Sequence, residues 1–160
     1  MRAFSIPLFL AALSISAVSA NAAEIKRTLK LQQEKPVLSH LDLGTQGSSN
    51  GDILAFEAAV AGENGIKGVM HGILITVDIA DGEDVLEERS GQIYVDFGNG
   101  NSIVIAGLSV YSGNSQEMTV DTPQVRAVIG GTGEYIGATG QVTTTRNADG
   151  SYEHVFELLQ

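Results

Sequence analysis

Gly91-Gln92-Ile93-Tyr94-Val95-Asp96-Phe97-Gly98-Asn99-Gly100-Asn101-Ser102-Ile103-Val104-Ile105-Ala106-Gly107-Leu108-Ser109-Val110-Tyr111 sets two runs of β-branched and aromatic residues on either side of a short turn. Asn and Gly tolerate positive φ cheaply, so Phe97–Asn101 reads as the turn of a hairpin. The same grammar extends in both directions. All 19 glycines lie beyond residue 43, spaced among Val, Ile, Thr and Tyr, which is the punctuation of short strands and turns. Strands are predicted at 25–33, 53–60, 66–79, 91–97, 102–111, 124–129, 138–146 and 152–159. Asn147-Ala148-Asp149-Gly150 is the turn before the last of them. No stretch after residue 22 carries a 3.6-residue apolar stripe. Eight strands joined by short turns favour an all-β, eight-stranded antiparallel β-barrel, whose closure removes exposed edges.

Alternation bears on what covers the strands. Tyr152, His154, Phe156 and Leu158 share one face of the last strand, opposite Glu153 and Glu157. In 69–79 the odd positions Val69, His71, Ile73, Ile75, Val77 and Ile79 are mostly apolar, and the even set is partly so. A strand apolar on both faces is covered on both. In a barrel that implies a lumen inside and a subunit contact outside, hence a homo-oligomer, trimer or dimer. A β-sandwich core also covers both faces, and periodicity alone does not separate the two.

The N-terminus reads as an address. Met1-Arg2 is followed by an uncharged apolar run from Ile6 to Val18 and by Ala20-Asn21-Ala22, the pattern of a cleaved signal peptide. Thirteen residues at ~1.5 Å rise make about 20 Å of helix, short of a ~30 Å hydrocarbon core. Residues 1–22 are therefore expected to be a signal peptide cut after Ala22, with Ala20 and Ala23 as alternatives. Residues 23–160 then form one domain, secreted or periplasmic, with no stable membrane insertion. A chain of 138 residues buries roughly two-thirds of its unfolded surface and needs no covalent staples. There is no cysteine, which excludes thiolate catalysis, iron–sulfur clusters and thiolate zinc sites. The net charge is −10; removing 1–22 takes away Arg2 and no acid, leaving 8 basic and 19 acidic groups, or −11. Such a surface repels phosphate backbones, so no nucleic-acid role is expected. Asp78–Glu88 holds six acids without calcium-loop spacing and reads as a solvated acidic loop.

Other motifs fail on context. Gly47-Ser48-Ser49-Asn50-Gly51 matches G-x-S-x-G, but a strand follows where a nucleophile elbow needs a helix. Ester cleavage through Ser49 is not expected. Gly130-Gly131-Thr132-Gly133 lacks the lysine and helix of a phosphate cradle and reads as a tight bend where side chains would clash. His40, His71 and His154 show no metal-ligand spacing, so no metal is expected. His71 and His154 meet only if their strands pair.

Two motifs together carry a resemblance. Ala127-Val128-Ile129-Gly130-Gly131-Thr132-Gly133-Glu134-Tyr135-Ile136-Gly137-Ala138-Thr139-Gly140-Gln141-Val142 resembles the A-V-x-G-G-[ST]-G-x-[FY]-x-G-x-x-G-x-V signature of allene oxide cyclase and dirigent barrels. Gly51-Asp52-Ile53-Leu54-Ala55-Phe56 is similar to the glycine-aspartate approach to the cyclases' second strand, and Leu41-Asp42-Leu43-Gly44, Gly68 and Gly72 fall where bacterial members have them. The resemblance spans about residues 40–158. It implies an eight-stranded barrel with an apolar cavity, commonly trimeric in plant members. Those members cyclise a fatty-acid epoxide or steer phenoxy-radical coupling with no metal or organic cofactor. The cavity contributes by holding a reactive molecule in one conformation.

Carried over by position, Phe56 and Leu74 are expected to line the cavity, and Ser109 falls near a lining tyrosine. The polar groups depart from the pattern. The cyclases' first-strand Glu-x-Asn has no clear counterpart in Leu31-Gln32-Gln33-Glu34, their later asparagine is Ala58, and the dirigent arginine position is Ile136. Gln33 and Glu34 remain as candidate polar cavity groups. The resulting expectation is an exported barrel that binds an apolar or aromatic small molecule and guides its cyclisation or coupling without a cofactor, as an isomerase-like cyclase or in the manner of a dirigent protein. The rival reading is a non-catalytic carrier or structural barrel of the same fold.

Overall fold

A computed structural model describes residues 24–79, 86–113 and 115–159. The expected signal peptide lies outside the described residues. Among them are nine strands: β1 Arg27–Gln33, β2 Val37–Leu41, β3 Ile53–Gly62, β4 Lys67–Ile79, β5 Leu86–Gly98, β6 Asn101–Ser112, β7 Gln124–Thr132, β8 Gly140–Arg146 and β9 Tyr152–Leu158. Two single 3₁₀ turns, Glu63–Gly65 and Gly133–Tyr135, complete the described elements. No helix among these residues is long and apolar enough to cross a membrane.

The strands pair in the order β1-β9-β8-β7-β6-β5-β4-β3, and β3 pairs back onto β1. All these pairings are antiparallel, so eight strands close into a barrel. The β5–β6 hairpin is its longest ladder, running from Leu86↔Ser112 to Gly98↔Asn101 with a register shift between Asp96 and Gly98. Its turn holds Gly98, Asn99 and Gly100 at φ of 79°, 54° and 79°, where L side chains are disfavoured.

The ninth strand, β2, was not expected. It pairs with the lower half of β3 (Val37↔Glu57 to Leu41↔Ile53), while β1 takes the upper end (Leu31↔Gly62 to Gln33↔Val60). β1 and β2 therefore share one lane, interrupted at Glu34-Lys35-Pro36. The register advances by one residue across the interruption, as it does at a β-bulge. As a result Leu38 rather than Val37 stands opposite Phe56. Pro36 has no N–H to give a ladder, which suits it to this break.

Gly130-Gly131-Thr132, expected as a bend between strands, instead ends β7, paired with Val104, Ile103 and Ser102 of β6, and the turn begins at Gly133. A Cβ on Gly131 would sit 2.6 Å from the Ser102 carbonyl oxygen and 2.7 Å from Tyr135 Cβ. Nothing larger than hydrogen fits.

Two further expectations are corrected. Asp78–Glu88 is not simply a solvated loop: Asp78 and Ile79 end β4, Leu86–Glu88 begin β5, and Glu87 is only 1 % exposed. Residues 80–85 lie outside the described residues. His71 and His154 do not meet, because β4 and β9 are not neighbours; His71 faces outward beside Tyr94, while His154 is inside. The two-sided apolar character of β4 does appear. Met70 and Leu74 point into the lumen, and Val69, Ile73, Ile75 and Val77 lie on the outer wall, 38–51 % exposed.

Candidate functional site

The lumen changes chemistry along its axis. At one end Leu29, Leu31, Val60, Val95, Ile103, Phe156 and Leu158 pack together, nearly all fully buried. Burying a side chain of this kind stabilises by roughly 1.5–3 kcal/mol, and together they plug that end. Toward the other end the inward positions of the barrel strands become Gln33, Thr76, Glu87, Arg89, Ser109, Arg126, Thr144 and His154, all buried. Buried polar groups must find partners, and those they find form three clusters.

In the first, His154 bridges Thr144 and Gln33. Its Nδ1 lies 3.0 Å from Thr144 Oγ1 and its Nε2 3.0 Å from Gln33 Oε1. Gln33 Nε2 donates to the Glu34 carbonyl oxygen, which fixes Oε1 as the atom facing the ring. Oε1 accepts only, so Nε2 carries the imidazole proton and Thr144 donates to Nδ1. Burial, aided by the positive Arg126, pushes the His154 pKa down to about 3, so the ring is neutral at ordinary pH.

In the second cluster Arg126 Nη2 donates to Ser109 Oγ and, at 3.1 Å, to Tyr111 Oη. The third is an ion pair, Arg89 Nη2 to Glu87 Oε2 at 2.8 Å, with both side chains buried. Arg89 also lies 4.3 Å from the Tyr111 ring centroid, a cation–π distance. Ser48 donates to Glu87 from the loop before β3.

A short cover closes this end. Arg89 donates to the carbonyl oxygens of Ser115 (2.7 Å) and Gln116 (3.4 Å), and Arg146 pairs with Glu117 at 2.8 Å. Two arginines thus clip residues 115–117 over the lumen, and buried Met118 points into it. Tyr152 stands beside Glu117, and burial followed by that negative charge raises its pKa to about 12.

Beneath the cover is a cavity walled by Leu38, Leu54, Phe56, Met70, Leu74, Ile93 and Ile105 on its apolar side, and by Gln33, Tyr111, Arg126, Thr144, Tyr152 and His154 on its polar side. Its free volume of about 50 Å³ is several times the ~10–15 Å³ that one water needs. Half-buried Pro36 and Leu38 and exposed Gln116 mark its mouth. The bulge between β1 and β2 is what turns Leu38 toward it.

The sequence-derived positions fall as follows. Phe56 and Leu74 are on the cavity wall and Gln33 is at its polar side. Glu34, the next residue along β1's lane, is exposed, and its backbone N–H bonds Ala59. Ser109 is buried behind the wall as a partner of Arg126, and Tyr111, two residues on and on the same face, reaches the cavity. Ser49 is in no catalytic arrangement: its hydroxyl donates to the Leu43 carbonyl oxygen and to Asp52 Oδ1. Asp52 organises this loop by accepting the Leu43 and Ser49 N–H groups at 2.8 Å each, and these bonds, Leu43's first, lower its pKa. Among the described residues no group of His, Asp and Glu is placed to hold a metal.

Sequence reasoning did not single out Arg126, Tyr111, Thr144 or the Glu87–Arg89 pair. The signal for Arg126 was a lone cation inside an apolar strand, but it was misleading. In Val125-Arg126-Ala127-Val128-Ile129 the apolar alternation points to Val125, Ala127 and Ile129 as the core face. The fold does the reverse, leaving Val125 and Ile129 each 54 % exposed and burying Arg126 with Val128.

No family model matches the chain, and no curated protein sequence matches it. Among solved structures, it is similar to a pyocyanin demethylase, with a TM-score of 0.60, 18% sequence identity, and coverage of 82% of this chain and 98% of the other. At that identity the likeness speaks to the shared barrel fold.

Proposed function

We propose that the barrel takes an apolar or aromatic small molecule into the polar end of its lumen and holds it in one conformation there. The observation that carries this reading is the cavity beneath the Ser115–Met118 cover, apolar on one wall and lined by oriented, buried polar groups on the other. A pocket of that composition is the usual architecture of a small-molecule site. Support also comes from the resemblance to allene oxide cyclase and dirigent barrels, and from a structural neighbour named for acting on pyocyanin, an aromatic molecule.

A guest of one aromatic ring needs more room than about 50 Å³, and Met118 supplies it. Methionine is unbranched and repacks readily, and the segment it belongs to is held largely by the arginine clips. The site then works by shape and by a neutral hydrogen-bonding relay, Gln33–His154–Thr144, that orients polar atoms of the guest in a dry environment. On this reading the protein is a cofactor-free guide for cyclisation or coupling, exported after loss of residues 1–22, and assembled as a trimer or dimer through its apolar outer wall.

Calorimetric titration with aromatic probes tests binding, alongside Leu38→Trp, which narrows the mouth without touching the plugged end. Saturable binding that Leu38→Trp weakens tenfold or more is expected; binding indifferent to that change places the guest elsewhere and defeats the reading. The carrier alternative is favoured by Ala58 and Ile136 standing where the resembling families have polar groups. Incubation with reactive substrates separates the two. Product stereochemistry equal to that of the spontaneous reaction, with binding intact, makes the protein a carrier.

A further inference from the structure

Among the described residues, the polar end of the lumen holds three guanidiniums and two carboxylates. Glu87 is matched to Arg89 and Glu117 to Arg146, each at 2.8 Å. Arg126 is 5 % exposed, lines the cavity, and makes no ion pair among the described residues. Its partners, Ser109 and Tyr111, are neutral hydroxyls that both engage Nη2. Its Nε is buried and bonds nothing. The Nε atoms of Arg89 and Arg146 are also unpartnered, but those two groups already hold a carboxylate. A buried, uncompensated charge is costly and is retained where something neutralises it.

Two glycines of the wall lie against this side chain. Gly91 and Gly107 pair across β5 and β6. A Cβ on Gly107 would lie 3.6 Å from Arg126 Cβ and Cγ, and one on Gly91 would lie 3.7 Å from Arg126 Nε. These are ordinary contact distances, so the two glycines border the side chain without being required by it, and at Gly91 the tightest neighbour is Leu74 Cδ2 at 2.6 Å.

We propose that the guest of this lumen carries an anionic oxygen, a carboxylate or a phenolate on an apolar ring, and that Arg126 is the residue that pairs with it. This rests on the reading that the lumen takes a guest. The planar guanidinium presents donors in a fork that matches a carboxylate, and Tyr111 Oη at 3.1 Å from Nη2 stands where it also reaches such an oxygen. The protein surface is strongly acidic, with a net charge of −10, so the pairing must act at short range inside the barrel rather than by steering from outside.

The test compares matched probes on the whole protein at pH 7.5: benzoate against benzamide, with 4-nitrophenolate as the phenolate arm. Wild type is expected to bind at least one of the two anions at least tenfold tighter than benzamide. Arg126→Gln should erase that preference and Arg126→Lys should keep part of it. Benzoate alone showing the preference names a carboxylate, and 4-nitrophenolate alone names a phenolate. Benzamide binding as tightly as both anions overturns the proposal while leaving the lumen a binding site. An undiminished preference in Arg126→Gln overturns it too. Failure of all three probes to bind defeats the guest reading itself. The wild-type comparison stands even where a variant does not fold.

Discussion

His154 sits at the centre of the barrel as an uncharged ring, and that has a thermodynamic signature. Its folded pKa of about 3 lies below the ~6.5 of an exposed histidine. Between those values the unfolded chain binds a proton that the folded chain refuses, so stability is complete above pH 6.5 and falls as the pH drops toward 3. The slope is about 1.4 kcal/mol per pH unit for one such group. Urea unfolding between pH 7 and 5, above most carboxylate titration, should show this loss, and His154→Gln should flatten it; an unchanged slope in the variant contradicts a buried neutral ring. Glu87 has the opposite problem, a charge held inside by its partner. Glu87→Ala strands Arg89 and should destabilise by about 3–5 kcal/mol, read as a shift in urea midpoint. Gly131→Ala places a methyl against the Ser102 and Tyr135 backbones and should cost about 1–3 kcal/mol, in the range of overpacking.

At the scale of strands, the hairpin Leu86–Ser112 and the bar on a side chain at Gly131 were legible because such chemistry is local. A positive φ or a missing Cβ is a property of one residue and its neighbours. The site was less legible because its direction depends on register, and one residue of slip turns every side chain over. β7 shows this: alternation favours Val125, Ala127 and Ile129 as the inner face, and the barrel buries Arg126 and Val128 instead. Resemblance placed Phe56 and Leu74 on a cavity wall, whereas Thr144 and Tyr111 come to line that cavity only because pairing brings β6, β7, β8 and β9 around one lumen. β2 went unread because Val37-Leu38-Ser39-His40-Leu41 has no buried face of its own and takes its shape from β3. The bulge before it yields a further test. Deleting Lys35 removes the extra residue, sets Val37 opposite Phe56 and swings Leu38 outward. Circular dichroism should still report a β-protein, while affinity for lumen probes falls at least tenfold; unchanged affinity removes Leu38 from the mouth.

For the molecule as a whole, the barrel wall carries two rows of apolar side chains on its outside. Ile73, Ile75 and Val77 on β4 and Leu108, Val125 and Ile129 on β6 and β7 are 41–54 % exposed. Exposed apolar surface marks contacts with other macromolecules, and these two rows, on either side of Ser90 and Gln92 of β5, motivate the proposed trimer or dimer. Light scattering at micromolar concentration should report that mass, and Ile73→Lys with Ile129→Lys should convert it to monomer; a monomeric wild type refutes self-assembly.

Closure of the ring joins the earliest described strand to the latest: β1 pairs along all seven of its residues with β9, from Arg27↔Leu158 to Gln33↔Tyr152, but touches β3 at only three. The seam therefore cannot form until β9 is available, and all the other described strands must be synthesised before the lumen exists. Such distant pairings slow the search for the native state, and a nascent chain lacking Tyr152–Leu158 would present two open edges, each a template for unwanted partners. Because Lys26 N–H already bonds the Leu158 carbonyl oxygen at 2.8 Å, a short linker between those ends and a fresh opening at Asn99 should give a circular permutant in which the slow seam becomes a local one.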